Sequence, residues 1–298
     1  MRPAPLLVAI ALVPALVGRA AAYVRTTTST GTPVEWRGRC AELNLGAEQH
    51  PDFRHDRLRP LLERAIGNWS QPTDACTALS LTLVAGERAR LRPMRDHLNT
   101  ISWRLPGHCD DPAHHEDEVC EAPQAAAVTT VFYIDKPGDP NDGELLEVDV
   151  VINAAHNQFT DGDGGPDGAL DLESVVTHEL GHVLGLTHTC YTSSGRPAPQ
   201  DELAARIPNC FPSISLPSAV TEATMYNFIS PGETFSRDPL ENEVEGICAI
   251  YADHPGTCRG EPAGCGCRSG RFGAGLVLPL LLASLLLVLR RKPCKRPS

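Results

Sequence analysis

Positive charge is scarce in this chain. Its 26 lysines and arginines are outnumbered by 37 aspartates and glutamates, for a formal net charge of −11 over 298 residues. No basic stripe is visible, which argues against nucleic acid as a partner. Five of the basic residues (Arg290, Arg291, Lys292, Lys295 and Arg296) crowd the last nine positions, so the rest of the chain is more acidic than the total suggests. Aromatic residues are also few, at 5%, although 42% of the chain is hydrophobic, which suits a globular protein with a modest core. Only three methionines occur, Met1, Met94 and Met225. No internal repeat is present. The eleven cysteines form no C-x-x-C pair, which argues against a thiolate zinc site.

The two ends differ from the middle. Residues 1–22 begin with Arg2, continue through an apolar run from Leu6 to Val17 and close on small residues. That is the pattern of a secretory signal cleaved near Ala22–Tyr23; the other reading is an uncleaved anchor, for which the run is short. Residues 273–289 carry no charge and match the shortest length of a membrane-spanning helix. The basic residues at 290–298 follow at once, which places them in the cytoplasm and the bulk of the chain outside. Between these ends the expected organisation is one exported α+β domain over residues 23–254 and a Gly/Pro/Cys-rich linker over 255–272.

An exported chain meets oxidising conditions, so most cysteines should pair. Short loops favour Cys109–Cys120 and Cys190–Cys210, which would leave Cys40–Cys76 and Cys248–Cys258. The spacing predicts a first strand at "PVEW" (33–36) and a helix over "RLRPLLERAIGNWS" (57–70) with Leu58, Leu61, Leu62, Ala65, Ile66 and Trp69 on its apolar face. Further strands are expected at 79–87, 99–105, 127–135 and 145–154, from alternating or β-branched runs. The only helix-like piece after residue 188 and before the last helix is "DELAARI" (201–207). That last helix should start with Asp238 as N-cap, Pro239 at the first helical position and Glu241 completing a capping box.

The chemistry concentrates in "HELGHVLGLTH", His178 to His188. Leu172, Val175, Val176, Leu180, Val183 and Leu184 recur at helical spacing, with Asp171 as a candidate N-cap. His178 and His182 are four residues apart, so both imidazoles leave one face of the helix and reach a common ion. A hydrolytic zinc site takes three protein ligands and leaves a fourth position for water. His188 serves as the third ligand if Gly185 takes a positive φ, ends the helix and turns the chain back. Glu179 is then a general base toward the zinc-activated water, and later a general acid. The competing reading is an amphipathic helix with incidental histidines, or a surface adhesion or structural module that keeps zinc for stability. Glu179 discriminates, because a structural site needs no base and fills its fourth position.

"HELGHVLGLTH" resembles the H-E-x-x-H-x-x-G-x-x-H signature of metzincin metalloproteases. "TMYNF" around Met225 resembles the methionine turn of the matrixin branch, with Asn227 in place of a proline, and "NEVEGICAIY" resembles that branch's C-terminal helix. The resemblance covers residues from about 33 to 253. It implies a zinc endopeptidase with zinc on His178, His182 and His188 and catalysis through Glu179. It also implies a twisted, mostly parallel sheet with an antiparallel edge strand, a long active-site helix and a C-terminal helix. An extended polypeptide substrate would add to the edge strand, and the enzyme would act as a monomer. Two features depart from the family: the segment between His188 and Met225 is long and holds Cys190 and Cys210, and no cysteine-switch propeptide is evident, Cys40 being read as a disulfide partner. The tail "GCGCRSGRFGAGLVLPLLLASLLLVLRRK" resembles the C-terminal sorting signals of myxobacterial surface proteins, which implies processing near Cys265 or Cys267 and display at the cell surface.

Weaker signals remain. Asp161, Asp163, Asp167 and Asp171 lie among glycines, an arrangement that suits calcium, although a solvated turn that caps the helix is the better reading. The spacing does not match an EF-hand loop. His114 and His115 are read as part of an exposed acidic loop, and His156 as structural.

Overall fold

The β-branched runs do become a sheet, and its strand order places one of them at an exposed edge. The computed structural model of the chain describes residues 23–38, 40–46, 50–89, 95–114, 117–162, 166–192, 200–201 and 204–252. The expected leader at 1–22 and linker at 255–272, the apolar segment at 273–289 and the basic residues at 290–298 lie outside these residues. Among the described residues no helix is long and apolar enough to cross a membrane.

The strands are β1 (Val24–Arg25), β2 (Cys40–Gly46), β3 (Ser80–Ala89), β4 (Asn99–Trp103), β5 (Ala127–Tyr133), β6 (Leu145–Ile152), β7 (Phe159–Thr160), β8 (Leu170–Asp171) and β9 (Leu186–Thr187). The helices are α1 (His55–Thr73), α2 (Glu118–Glu121), α3 (Leu172–Val183), α4 (Ser218–Thr221) and α5 (Glu241–Tyr251). Five strands form the main sheet in the order β3-β2-β4-β6-β5. β2 runs parallel to β3 and β4, and β4 parallel to β6, whereas β5 is antiparallel to β6 and closes one edge. The expected mostly parallel sheet with an antiparallel edge is therefore present. β6 has neighbours on both sides and is buried along nearly its whole length, which is why it reads as a near-continuous apolar run. Its two acids are satisfied: Asp149 accepts from the Thr100 hydroxyl at 2.5 Å, and Glu147 accepts from the backbone amides of Asp96 and His97.

α1 presents the anticipated face, with Leu58, Leu61, Leu62, Ala65, Ile66 and Trp69 all buried. It packs on α3. The Trp69 indole donates to the Thr177 carbonyl at 2.8 Å, and Arg64 and Asn68 both reach Glu173. α5 supports the far end of α3, where the Tyr251 hydroxyl donates to the Leu184 carbonyl at 3.0 Å.

Four expectations are corrected. "PVEW" is not a strand: it makes only isolated bridges, because Trp36 turns under α3 and donates to the Val183 carbonyl at 2.7 Å. The first strand is β1, paired antiparallel with β9. The described residues of "DELAARI" (Asp201 and 204–207) are not helical. Ala204 takes a left-handed φ of 59°, and the Asp201 carboxylate accepts from the Ala205 amide at 2.8 Å, a local bond that competes with helix formation. α5 starts at Glu241 rather than at Pro239, with Leu240 at the N-cap, and its capping carboxylate belongs to Glu243, which accepts from the Leu240 amide at 2.9 Å. Finally, Cys109–Cys120 and Cys190–Cys210 form as anticipated, but Cys76 pairs with Cys248 across 172 residues, so neither Cys40–Cys76 nor Cys248–Cys258 exists. Pairing by elimination misleads there because packing brings the end of α1 against α5. Cys40 is also disulfide-bonded.

A buried histidine gives the fold a pH dependence. His50 is fully buried among Phe53, Trp103 and Phe159. Its Nδ1 accepts from the Asp52 amide at 3.2 Å and its Nε2 has no partner. Burial pulls its pKa down to about 4. The folded state therefore resists a proton that the unfolded chain takes up below its ordinary pKa of about 6.5. Stability is expected to fall as pH drops through that window, by about 3 kcal/mol in total from this group. Urea unfolding of the chelated protein at pH 7 and pH 4.5 measures it. His50→Asn, which keeps an acceptor near Nδ1, should lose this part of the slope; equal slopes in the two proteins would refute the assignment.

Candidate metal centre

The site is built on α3. Asp171, fully buried, caps the helix by accepting from the Ser174 amide at 2.8 Å and is held from outside by Arg237, at 2.8 and 2.5 Å. His178 and His182 leave the same face one turn apart. The helix then ends as the glycine signal anticipates: Gly185 has φ +85°, and its amide donates to the His182 carbonyl at 3.0 Å. A Cβ at Gly185 would lie 2.6 Å from the Val34 carbonyl oxygen, so both the backbone conformation and the space demand glycine. The chain leaves as β9 and delivers His188.

The three imidazoles converge. His188 Nε2 lies 3.2 Å from Nε2 of both His178 and His182. Two nitrogens on a tetrahedral zinc ion at its usual bond length are about 3.3 Å apart. The outward nitrogens set the tautomers: His178 Nδ1 donates to the Thr224 carbonyl at 2.6 Å and His182 Nδ1 to the Leu186 carbonyl at 2.9 Å. With the protons there, the Nε2 lone pairs face the common point. Burial lowers the pKa of His178 and lowers that of His188 further, which favours the neutral, metal-binding form. The donor set fits zinc, and among the described residues no fourth ligand joins the cluster.

Glu179 is buried beside the histidines and accepts a hydrogen bond from the Thr129 hydroxyl of β5 at 2.5 Å. Met225 lies beneath the helix, so close to Gly181 that a Cβ there would sit 2.1 Å from the methionine sulfur. The turn that carries Met225 is held from below by Glu243, which accepts from the Met225 and Thr224 amides at 2.8 and 3.1 Å. A cleft of about 710 Å³ runs between β5 (Ala127–Thr129 and Val131) and the segment from Tyr226 to Ile229, with His178, Glu179, His182 and His188 on its floor.

The structure thus brings together all four sequence-derived site residues. The acidic glycine loop is a different matter. Asp161 pairs with Arg57 and Asp171 is spent on the cap and on Arg237, while Asp163 lies outside the described residues. Asp167 is exposed, and among the described residues no cluster of metal-ligand groups forms there. His156 is exposed, its Nδ1 hydrogen-bonded to Asn153 Oδ1 at 3.0 Å. His114 is half-buried and stacks on His108; His115 lies outside the described residues. A second grouping, His108, Asp117 and Cys120, is not a metal site: Cys120 is tied to Cys109, and Asp117 is held by the buried Arg104 at 2.7 Å.

Sequence reading missed Thr129 and Glu243 as partners of the site. Thr129 had no signal beyond its place in a β-branched run. Glu243 lies in the stretch that resembles the matrixin C-terminal helix, but nothing local to it points to the turn 18 residues upstream.

Residues 112–194 match the family model described as Matrixin. The match takes in all three histidines and Glu179, whereas Met225 and Glu243 lie beyond it. Metalloendoproteinase 2-MMP of Arabidopsis thaliana is 26% identical over 178 residues, which is 55% of this chain and 39% of the plant protein. The chain therefore spans well under half the length of that relative. Both comparisons support a matrixin-like metalloprotease, and the family implies zinc.

Proposed function

We propose that the protein is a zinc-dependent endopeptidase that cleaves extended segments of extracellular proteins. The observation that carries this reading is the convergence of three Nε2 atoms beside Glu179 on the floor of an open cleft. Zinc held by His178, His182 and His188 would polarise the scissile carbonyl and acidify a water molecule. Glu179 takes that water's proton on its carboxylate and returns it to the leaving amine. Thr129 holds the carboxylate in place from β5. β5 pairs with β6 on one side only, so its outer edge offers backbone groups on which a substrate can lie as a further strand.

The reading extends to location. Residues 1–22 would direct export, and residues 273–289 with the basic tail would anchor the protein, as a monomer, at the cell surface, with processing near Cys265 or Cys267 releasing or re-attaching it. The rival is a zinc-stabilised adhesion module. The open cleft and the acid placed beside the ligands favour the enzyme, since a structural zinc site closes its fourth position.

The test is cleavage of casein by the purified protein. Wild type should cut it, lose activity on chelation and regain it on adding zinc. A folded, zinc-loaded protein that cuts neither casein nor a diverse peptide library would bring the adhesion module forward.

A further inference from the structure

Two of the three histidines are oriented by backbone carbonyls, and the third is not. His188 Nδ1 has the Asn227 side-chain amide as its partner, at 3.0 Å. The other end of that amide sits against the Cys190–Cys210 disulfide, 3.3 Å from one sulfur and 3.4 Å from the other. Hydrogen-bond chemistry fixes which end is which. With the amide nitrogen toward His188, Nδ1 would accept, Nε2 would carry the proton, and the carbonyl oxygen would face two sulfurs that have no hydrogen to donate. With the amide turned over, both ends are satisfied. The oxygen accepts from His188 Nδ1–H, the NH₂ group points at sulfur lone pairs, and the Nε2 lone pair of His188 faces the same point as those of His178 and His182.

We infer that Asn227 is the positioning residue of the third zinc ligand, holding His188 in its metal-binding tautomer and braced by the Cys190–Cys210 disulfide. The inference rests on the zinc reading above. It explains why the cysteine-bearing segment after His188 folds back on the methionine turn: Tyr191 and Asn209 bridge, and the disulfide they flank closes over Asn227. Backbone carbonyls cannot be removed from the other two ligands by substitution, but this contact can.

The experiment is zinc affinity of the full-length protein, by competition with a chromophoric chelator. Asn227→Ala should bind zinc about 10- to 100-fold more weakly than wild type. Asn227→Asp, which keeps an oxygen toward Nδ1, should recover most of the loss. Equal affinity of Asn227→Ala and wild type, or an Asp variant as weak as the Ala variant, overturns the inference and leaves the zinc reading intact. A wild type that binds no zinc overturns both. If Asn227→Ala does not fold, histidine ¹⁵N spectra of the zinc-loaded wild type decide: a proton on His188 Nδ1 is expected, and a proton on Nε2 refutes the assignment.

Discussion

Glu179→Gln is expected to keep its zinc and lose catalysis about a thousandfold in kcat, with KM little changed. The amide has the shape of the carboxylate and can still accept from the Thr129 hydroxyl, so the cleft keeps its form. What disappears is the basicity that takes a proton from water. Because Glu179 is not among the converging ligands, metal content should match wild type. Steady-state cleavage of a fluorogenic peptide, together with zinc analysis of the same preparations, measures both quantities. Loss of zinc in step with activity would make Glu179 a ligand. Retained cleavage would place the base elsewhere. The same pair of measurements separates the peptidase from the adhesion module, which has no use for a base.

The second large effect is on stability. Glu243 is almost fully buried and accepts from three amides: Leu240 at the start of α5, and Thr224 and Met225 in the turn beneath the metal site. Burial pushes its carboxyl upward in pKa, and these three donors oppose that shift. Glu243→Ala removes the acceptor and strands the donors, at a cost of about 3–5 kcal/mol. Glu243→Gln should cost less, because its oxygen still serves part of the set while its NH₂ faces an amide that also donates. Urea unfolding of the zinc-free proteins gives the numbers. The damage should reach the site as well, since the Thr224 carbonyl orients His178. A loss below 1 kcal/mol for the alanine variant would mean that water or a shifted turn replaces the carboxylate.

Local pattern accounts for much of what could be read in advance. The apolar face of α1, the cap at Asp171 and the break at Gly185 follow from spacing within one or two turns, and so do the two short-loop disulfides. Two of the failures come from contacts distant in the chain and one from a local side-chain bond. "PVEW" has the composition of a strand, yet Trp36 finds its partner at the end of α3, 147 residues away. "DELAARI" has helical composition, yet Asp201 bonds the Ala205 amide and a left-handed Ala204 closes a turn. Asp238, Pro239 and Glu241 have the order of a capping box, yet Glu243 does the capping because it also serves the methionine turn.

By itself the sequence determined the candidate metal site: two histidines one helical turn apart, a glycine able to reverse the chain and a third histidine just beyond it meet at one point through local geometry alone. Tertiary structure decided most of what supports that site, beyond the local Asp171 cap and the Leu186 carbonyl on His182. Thr129 on Glu179, Glu243 beneath Met225, Asn227 against His188 and the Cys76–Cys248 bridge all join residues far apart in the chain. Such contacts depend on how helices and sheet pack, and no periodicity or short-range propensity records that packing.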